Sequence, residues 1–235
     1  MEDYEKESYQ FISITAIVSL FVFLINFLSF DNSKLRHVEM EPFSEPIQEK
    51  ITEDLTFTKK IDGNKVVITP LANYKLYGRV YAKHYRPSKL YGASVEPYDI
   101  SIIFGAGKEK EVYKAISVKM ASTVSYMSYS GKAWEKHLSK YFDSDAQLIH
   151  CFTNNHICPA NKNVKKGIKK LKKKDIVYLE GYLIKYTNFK KDGSIEKGIS
   201  STSRNEMEDM MGDNGNGSCE QIYVTRVVSR HGDFR

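Results

Sequence analysis

Two motifs that mark large enzyme classes are missing from the sequence. A P-loop needs a glycine five positions before its Gly-Lys pair and a Ser or Thr directly after it. Around Gly107 and Lys108 these positions hold Ile102 and Glu109, and the chain has no G-x-S-x-G nucleophile elbow. Internal repeats are absent as well. The sequence therefore excludes a P-loop NTPase, an elbow-type α/β hydrolase and a repeat architecture.

Cysteine is also scarce, with three residues in a chain of 235. In an oxidising compartment, Cys151 and Cys158 could close a short disulfide loop and leave Cys219 over. In a reducing compartment all three would be small apolar residues. The cysteine count therefore leaves the compartment open, and a Cys151–Cys158 disulfide stays one alternative.

The chain has one long apolar run, over residues 10–30. It carries no charge over a length that matches the hydrocarbon core of a bilayer. The leader, residues 1–9, is acidic and no A-x-A-like cleavage site follows the run, so a cleaved signal peptide is disfavoured. We predict a single-pass anchor that contacts membrane lipid. Lys6 precedes the apolar run, and Lys34 and Arg36 follow it. The basic residues therefore do not determine on which side of the membrane the C-terminal part of the chain lies.

The rest of the chain divides into a linker and a body. Residues 31–61 are acidic, contain two prolines and lack clear periodicity, which predicts a linker. Residues 62–229 contain many β-favouring runs and turn signals such as Asp-Gly. Helices are predicted over 133–142 and 163–173 from their apolar spacing. We predict an α+β, mostly β body, a small curved-sheet or barrel-like domain with two or three short helices, before a tail at 230–235.

The segment HCFTNNHICPA, residues 150–160, holds two His and two Cys. If its start belongs to a strand over 147–152, His150 and Cys151 point to opposite faces and cannot share a metal ion. We therefore predict no metal site. A turn at the two central asparagines is predicted instead, with the histidine that follows hydrogen-bonded to the turn.

A second polar segment, SSTSR, spans residues 200–204. Ser200 and Arg204 would form a hydrolase-like site with His156 if the fold brought them together, since nucleophilic catalysis needs a base within hydrogen-bonding reach. The other interpretation is a polar strand end before a loop. The sequence leaves enzyme activity undecided: it favours a non-enzymatic module, with the hydrolase as the alternative, and no cofactor is expected.

Eight lysines fall between residues 162 and 174. Val164, Ile168 and Leu171 are spaced for one helix face, so the lysines line the opposite face. The binding candidates there are Lys165, Lys166, Lys169, Lys170 and Lys173. No arginine or aromatic residue interrupts the run, so it offers neither stacking nor base readout. Nucleic acid is therefore disfavoured as a partner, and anionic lipid is the alternative to a plain solvated face.

Six segments resemble, in order and spacing, a family of uncharacterised bacterial proteins with one N-terminal membrane span and a C-terminal β-rich domain. They are YKLYGRV, EPYDISIIFG, TNNHICPA, KKKDIVYLEGYLI, SSTSR and SCEQIYV. The matching positions are Gly78, Pro97, Asp99, Gly105, Asn154, His156, Pro159, Asp175, Gly181, Tyr182, Ser200, Ser201, Arg204, Cys219 and Glu220. Lys174 and Phe104 depart from the usual Gly and Trp, and the loop at 205–217 is longer than in the family.

The resemblance implies the anchor and the β-rich domain, but it brings no assigned activity. It implies a polar pocket if Asn154 and Glu220 converge with His156, Ser200 and Arg204. We therefore predict a membrane-anchored accessory or binding module in a bacterial envelope context, with an unknown ligand and a protein as one further partner class. The alternatives are the hydrolase-like enzyme and a binder of anionic lipid or nucleic acid through residues 162–174.

Overall fold

The computed structural model describes residues 32–87, 90–121, 124–200 and 219–235. Within these ranges, no helix combines the length and the apolar character needed to cross a membrane. The predicted anchor at residues 10–30 lies outside the described residues. The membrane anchor therefore stays a prediction.

The described residues are mostly β, with a few short helices, as predicted. The strands are β1 (Ile47–Lys50), β2 (Phe57–Ile61), β3 (Asn64–Tyr85), β4 (Tyr98–Ile103), β5 (Ser117–Ala121), β6 (Val124–Ser128), β7 (Phe152–Pro159), β8 (Ile176–Phe189), β9 (Ile195–Ile199), β10 (Cys219–Ser229) and β11 (Gly232–Phe234). The α-helices are α1 (Lys110–Ala115), α2 (Gly131–Ala133), α3 (Asp145–His150) and α4 (Lys162–Lys170). Short 3-10 turns at Asn32–His37 and Gly105–Lys108 and a π turn at Trp134–Leu138 complete the elements.

Five strands pair in a closed ring. β3 is antiparallel to β4, β4 to β7, β10 to β8, and β8 back to β3, while β7 and β10 run parallel. β1 and β2 pair with β3, β9 pairs with β8, and β11 pairs with β10, so these four extend the ring outward. β5 and β6 form a separate hairpin. The ring is therefore a small barrel with strands attached to it.

The barrel core is filled by aliphatic side chains from all five strands, because each strand turns every second residue inward. α4 packs against this core through Val164, Ile168 and Leu171, as the spacing of its apolar residues predicted. Its side chains are joined there by Phe234 of β11. A second cluster lies in the insertion between β4 and β7 and contains Leu138.

The linker predicted for residues 31–61 is wrong for much of its length. Leu35 and Met40 are 4% and 7% exposed and pack with residues of β3, β8 and β10. β1 and β2 add two strands to the sheet before the predicted start at residue 62. Leu35 and Met40 stand singly between charged residues, so no window of sequence shows a period, although each buries its side chain. The turn at Asp62 and Gly63 is confirmed, with φ of 48° and 84°.

Two further local predictions are wrong. Residues 147–152 begin in α3, because Ser144 caps this helix by accepting a hydrogen bond from the backbone amide of Gln147. The pattern Ser-x-x-Gln is a capping box, and it outweighs the apolar content of the segment. The helix predicted for 133–142 is shorter, since its π turn ends at Leu138.

Candidate functional site

A row of polar side chains lies on the outer face of β4 and β7. Ile100 points into the barrel core, so Asp99 and Ser101, its neighbours along β4, point outward. The strand register places Asp99 opposite His156 and Ser101 opposite Asn154. All four polar residues are buried. Other segments of the chain therefore cover this face.

The cover over Asn154 comes from the β5–β6 hairpin. The hydroxyls of Ser125 and Ser101 lie 2.6 Å apart, and Ser125 donates a hydrogen bond of 2.8 Å to Oδ1 of Asn154. The amide Nδ2 of Asn154 donates to Sγ of Cys219 at 3.4 Å. This asparagine therefore links the hairpin to the first residue of β10.

The cover over His156 comes from the segment between β3 and β4. His156 Nδ1 lies 2.6 Å from Oδ1 of Asp99. Arg86 Nε lies 3.7 Å from Oδ2 of the same carboxylate, and Arg86 Nη1 lies 3.4 Å from Oε2 of Glu96. Tyr186 donates to Oε2 of Glu96 at 3.3 Å. Two bases and two acids are therefore buried in one network.

The charge state of His156 follows from this network. Burial alone lowers the pKa of the imidazole, but hydrogen bonds with Asp99 and Cys219 and the charges of Glu96 and Asp99 raise it to about 10. Burial raises the pKa of Glu96, although the charges of His156 and Arg86 oppose this. His156 is therefore an imidazolium at neutral pH.

Two adjoining cavities open beside His156. The inner cavity has a volume of about 330 Å³ and is lined by the 86–96 segment, His156, Tyr186, Lys197 and Gln221. The outer cavity, of about 580 Å³, shares Tyr186, Lys197 and Gln221 with it. Volumes of this size are typical of small-molecule sites. We call the two cavities together the cleft.

Hydrogen bonds fix both walls of the cleft. The Tyr91 hydroxyl donates to the carbonyl of Lys197 at 3.0 Å and accepts from its backbone amide at 2.8 Å. The amide of Gly92 donates to Oε1 of Glu196 at 3.2 Å, and Asn188 Nδ2 donates to Oε2 of that carboxylate at 3.0 Å. The wall that contains Tyr91 and Gly92 is thus tied to β9 by hydrogen bonds within the chain.

The structure separates the residues of the proposed hydrolase site. Ser200 donates to Oε2 of Glu220 at 2.9 Å and accepts from the backbone amide of Gln221 at 3.1 Å. His156 instead bonds Asp99. The serine hydroxyl is therefore engaged by a carboxylate, and Arg204 lies outside the described residues.

The predicted polar pocket is divided between two faces of the barrel wall. Glu220 alternates with Ile222 of the barrel core, so it points inward, whereas Asn154 and His156 point outward. The turn predicted at Asn154 and Asn155 is wrong, because both residues lie within β7. His156 therefore bonds a neighbouring strand instead of a turn.

The disulfide predicted as an alternative between Cys151 and Cys158 is absent, since neither buried cysteine is disulfide-bonded. Six residues of nearly extended chain lie between them, which places the two cysteines about 20 Å apart. A disulfide needs Cα atoms within about 7 Å. Among the residues that the structure describes, no group of three His, Cys, Asp or Glu side chains could hold a metal ion.

The lysine candidates lie away from the cleft. Lys165, Lys166, Lys169 and Lys170 belong to α4, which packs beside β10, β11 and β7. The ammonium of Lys170 lies 5.6 Å from the ring centre of Phe234, and that of Lys173 lies 4.6 Å from the ring centre of Tyr81. None of these lysines lines the cleft.

Several residues of the cleft were not selected from the sequence, notably Arg86, Glu96, Lys197 and Gln221. Glu96 stands at the start of EPYD, so its nearness to Asp99 was a usable signal. Arg86 directly follows β3, and a cation at a strand end carries no local sign of burial. Lys197 and Gln221 reach the cleft only through the pairing of β8 with β9 and β10.

The barrel defines a class of protein. Counted along the chain, the five strands of the ring are β3, β4, β7, β8 and β10. The third and fifth strands pair in parallel, and the helix α4 lies between the third and fourth strands, which is the arrangement of the oligonucleotide/oligosaccharide-binding fold, or OB-fold. Ligands of that fold bind on the second and third strands, between the loops that join strands one to two and four to five. In this chain the second and third strands of the ring are β4 and β7. The 86–97 segment joins strands one and two, and the connection that carries β9 joins strands four and five. The inner cavity thus lies between these two connections and next to β7, of which His156 lines it, while no residue of β4 is part of its lining in the described chain.

Comparisons with known proteins add no closer relationship. No family model, no curated protein and no solved structure matches the chain.

Proposed function

We propose that this chain is a binding module that holds a small anionic ligand in the cleft. Residues 10–30 would tether it to a membrane, in the bacterial envelope context that the family resemblance implies. The observation that carries the proposal is the cleft itself, whose walls are tied together by hydrogen bonds and whose lining includes four basic side chains and one carboxylate.

The charge of the cleft favours an anion. Arg86 and His156 are balanced by Glu96 and Asp99, so this network is close to neutral. Two lysines outside this network also line the cleft. Lys197 lines both cavities, and Lys185 lines the outer one. Neither lysine forms a salt bridge within the described residues. The two ammonium groups add positive charge beside the imidazolium and give the cleft a positive potential, which the charge of Asp54 near Lys185 reduces in part.

A single strand of nucleic acid has less support as the ligand. OB-folds that bind such strands stack successive bases on exposed aromatic side chains. Here the outer face of β4 and β7 is polar and buried, with Asp99 and Ser101 both at 0% exposure. The enclosed cleft suits a compact ligand with a carboxylate or phosphate group better than an extended polymer.

The test uses the full-length chain in a neutral detergent, with inorganic pyrophosphate as the probe anion and calorimetry to measure its affinity. The double variant Lys185→Gln/Lys197→Gln removes the two cleft charges. The matched control, Lys165→Gln/Lys166→Gln, removes the same charge from α4. We expect the cleft variant to weaken binding about thirtyfold, because two lost contacts of about 1 kcal/mol each add up to about 2 kcal/mol.

The control should bind pyrophosphate as the unmodified chain does. Equal weakening in both variants would show that net charge alone attracts the anion, and stronger weakening in the control would place the site on α4. Either result would refute the proposed cleft site.

A further inference from the structure

A cysteine lies beside the buried histidine. Cys219 is the first residue of β10 and pairs in register with Asn154, so it shares the outer face with His156, two residues further along β7. Its thiol is hydrogen-bonded with the imidazole of His156, whose Nδ1 lies 2.6 Å from Asp99. Asn154 Nδ2 also contacts the sulfur, at 3.4 Å. The four side chains form a cysteine–histidine–aspartate chain with an amide donor at the sulfur.

We propose that Cys219, His156 and Asp99 form a nucleophilic site in which the Cys219 thiolate accepts an acyl group from an ester. This goes beyond anion binding and does not depend on it. The arrangement has the parts that such chemistry needs: a sulfur nucleophile, an imidazole in contact with it and a carboxylate that orients the imidazole.

The charges around the histidine decide its role. Asp99 faces it from β4, Glu96 and Arg86 face it from the 86–97 segment, and Cys219 and Gln221 face it from β10. Because the raised pKa keeps the imidazole protonated at neutral pH, His156 acts as a fixed cation beside the sulfur. The thiolate is the reactive form of a cysteine, and the cation lies where it attracts that form during attack.

Exposure separates Cys219 from the other two cysteines. Cys219 is half-buried, whereas Cys151 and Cys158 are buried, and burial raises the pKa of the Cys158 thiol. Reactive cysteines are partly exposed and lie in electropositive surroundings, while buried apolar ones are inert. The inner cavity reaches His156 and gives a small acyl donor access to this side of the pair.

The chemical step balances without a further reactant. The Cys219 thiolate attacks the ester carbonyl carbon and forms a sulfur–carbon bond. The carbon–oxygen bond to the alcohol then breaks, and the leaving oxygen takes a proton from the imidazolium. A thioester on Cys219 and a neutral imidazole remain, and water hydrolyses the thioester to release the acid and restore the thiolate and the imidazolium.

The first experiment measures iodoacetamide alkylation of each cysteine in the folded full-length chain by mass spectrometry at pH 7. We expect Cys219 to be labelled, whereas the buried Cys151 and Cys158 stay unlabelled. His156→Gln, checked for folding by circular dichroism, should slow the alkylation of Cys219 about tenfold, because it removes the positive charge beside the sulfur. No labelling of Cys219, or an unchanged rate in His156→Gln, would overturn the proposal.

The second experiment mixes the chain with p-nitrophenyl acetate and follows release of p-nitrophenolate. We expect a burst of one equivalent that Cys219→Ser abolishes and Cys151→Ser leaves intact. A burst that survives Cys219→Ser would show that another group reacts, and it would exclude Cys219 as the acyl acceptor.

Discussion

Replacement of His156 by glutamine tests the buried charge network directly, because it removes the imidazolium and keeps a polar side chain of similar length. In the folded chain the pKa of His156 is raised from 6.5 to about 10. A base with a raised folded-state pKa stabilises the fold fully below its unfolded pKa and loses that stability as pH rises through the folded pKa. The contribution of His156 is therefore present in full below pH 6.5 and falls toward pH 10.

The size of this effect follows from the shift. Each pKa unit corresponds to about 1.4 kcal/mol, so the full contribution has an upper limit of about 5 kcal/mol. Between pH 6.5 and pH 9 the folded state keeps its proton while the unfolded state loses it, and the loss of stability over this interval is about 3 kcal/mol. Measurements stop near pH 9 because tyrosines begin to titrate above it.

The assay is urea unfolding of the full-length chain in detergent, at several pH values, with the fluorescence of Trp134 as the signal. Trp134 is the single tryptophan and packs against the second core cluster. The unmodified chain should lose about 3 kcal/mol more than His156→Gln between pH 6.5 and pH 9. If the free energy of unfolding changed with pH in the same way in both proteins, His156 would not be an imidazolium in the folded chain. The charge state assigned to the Asp99–His156 pair would then be wrong.

Two more predictions concern the barrel and the anchor. Gly181→Ala would place a Cβ 2.0 Å from the carbonyl oxygen of Tyr223, so it should lower the free energy of unfolding in urea by about 3 kcal/mol or more. The control is Gly131→Ala, where a Cβ meets nothing within 4 Å, and it should change the free energy of unfolding by less than about 1 kcal/mol. The full-length chain should stay in membranes during alkaline extraction because residues 10–30 span the bilayer, and a chain lacking them should be released; release of the intact chain would disprove the anchor.

Local periodicity explains which elements could be predicted. The strand found as β8 and the apolar face of α4 follow from spacing alone, since Val164 and Ile168 recur at the helical period. The hairpin turn at Gly63 follows from its Asp-Gly pair. In contrast, Leu35 is buried by contacts with distant strands, which a window of sequence cannot register.

The site was harder to predict because its parts come from far apart in the chain. His156 was selected from its motif, but its partner Asp99 lies 57 residues earlier, and the contact depends on the register of β4 against β7. Ser200 was grouped with His156 because both are polar and match the family segments. Strand alternation decides otherwise, since Glu220 on the inner face binds that serine while the histidine lies outside.

Stability alone gives a weak reason for burying four ionisable groups on one face of the barrel. Removing charges from water costs several kcal/mol per ion, and well-packed apolar residues in such positions often stabilise a fold equally or better. Arg86, Glu96, Asp99 and His156 nevertheless have exposures of 4%, 2%, 0% and 8%. Departures from apolar packing are expected at functional sites. Their place beside the cleft and in contact with Cys219, instead of elsewhere on the barrel, supports this network as the working part of the molecule.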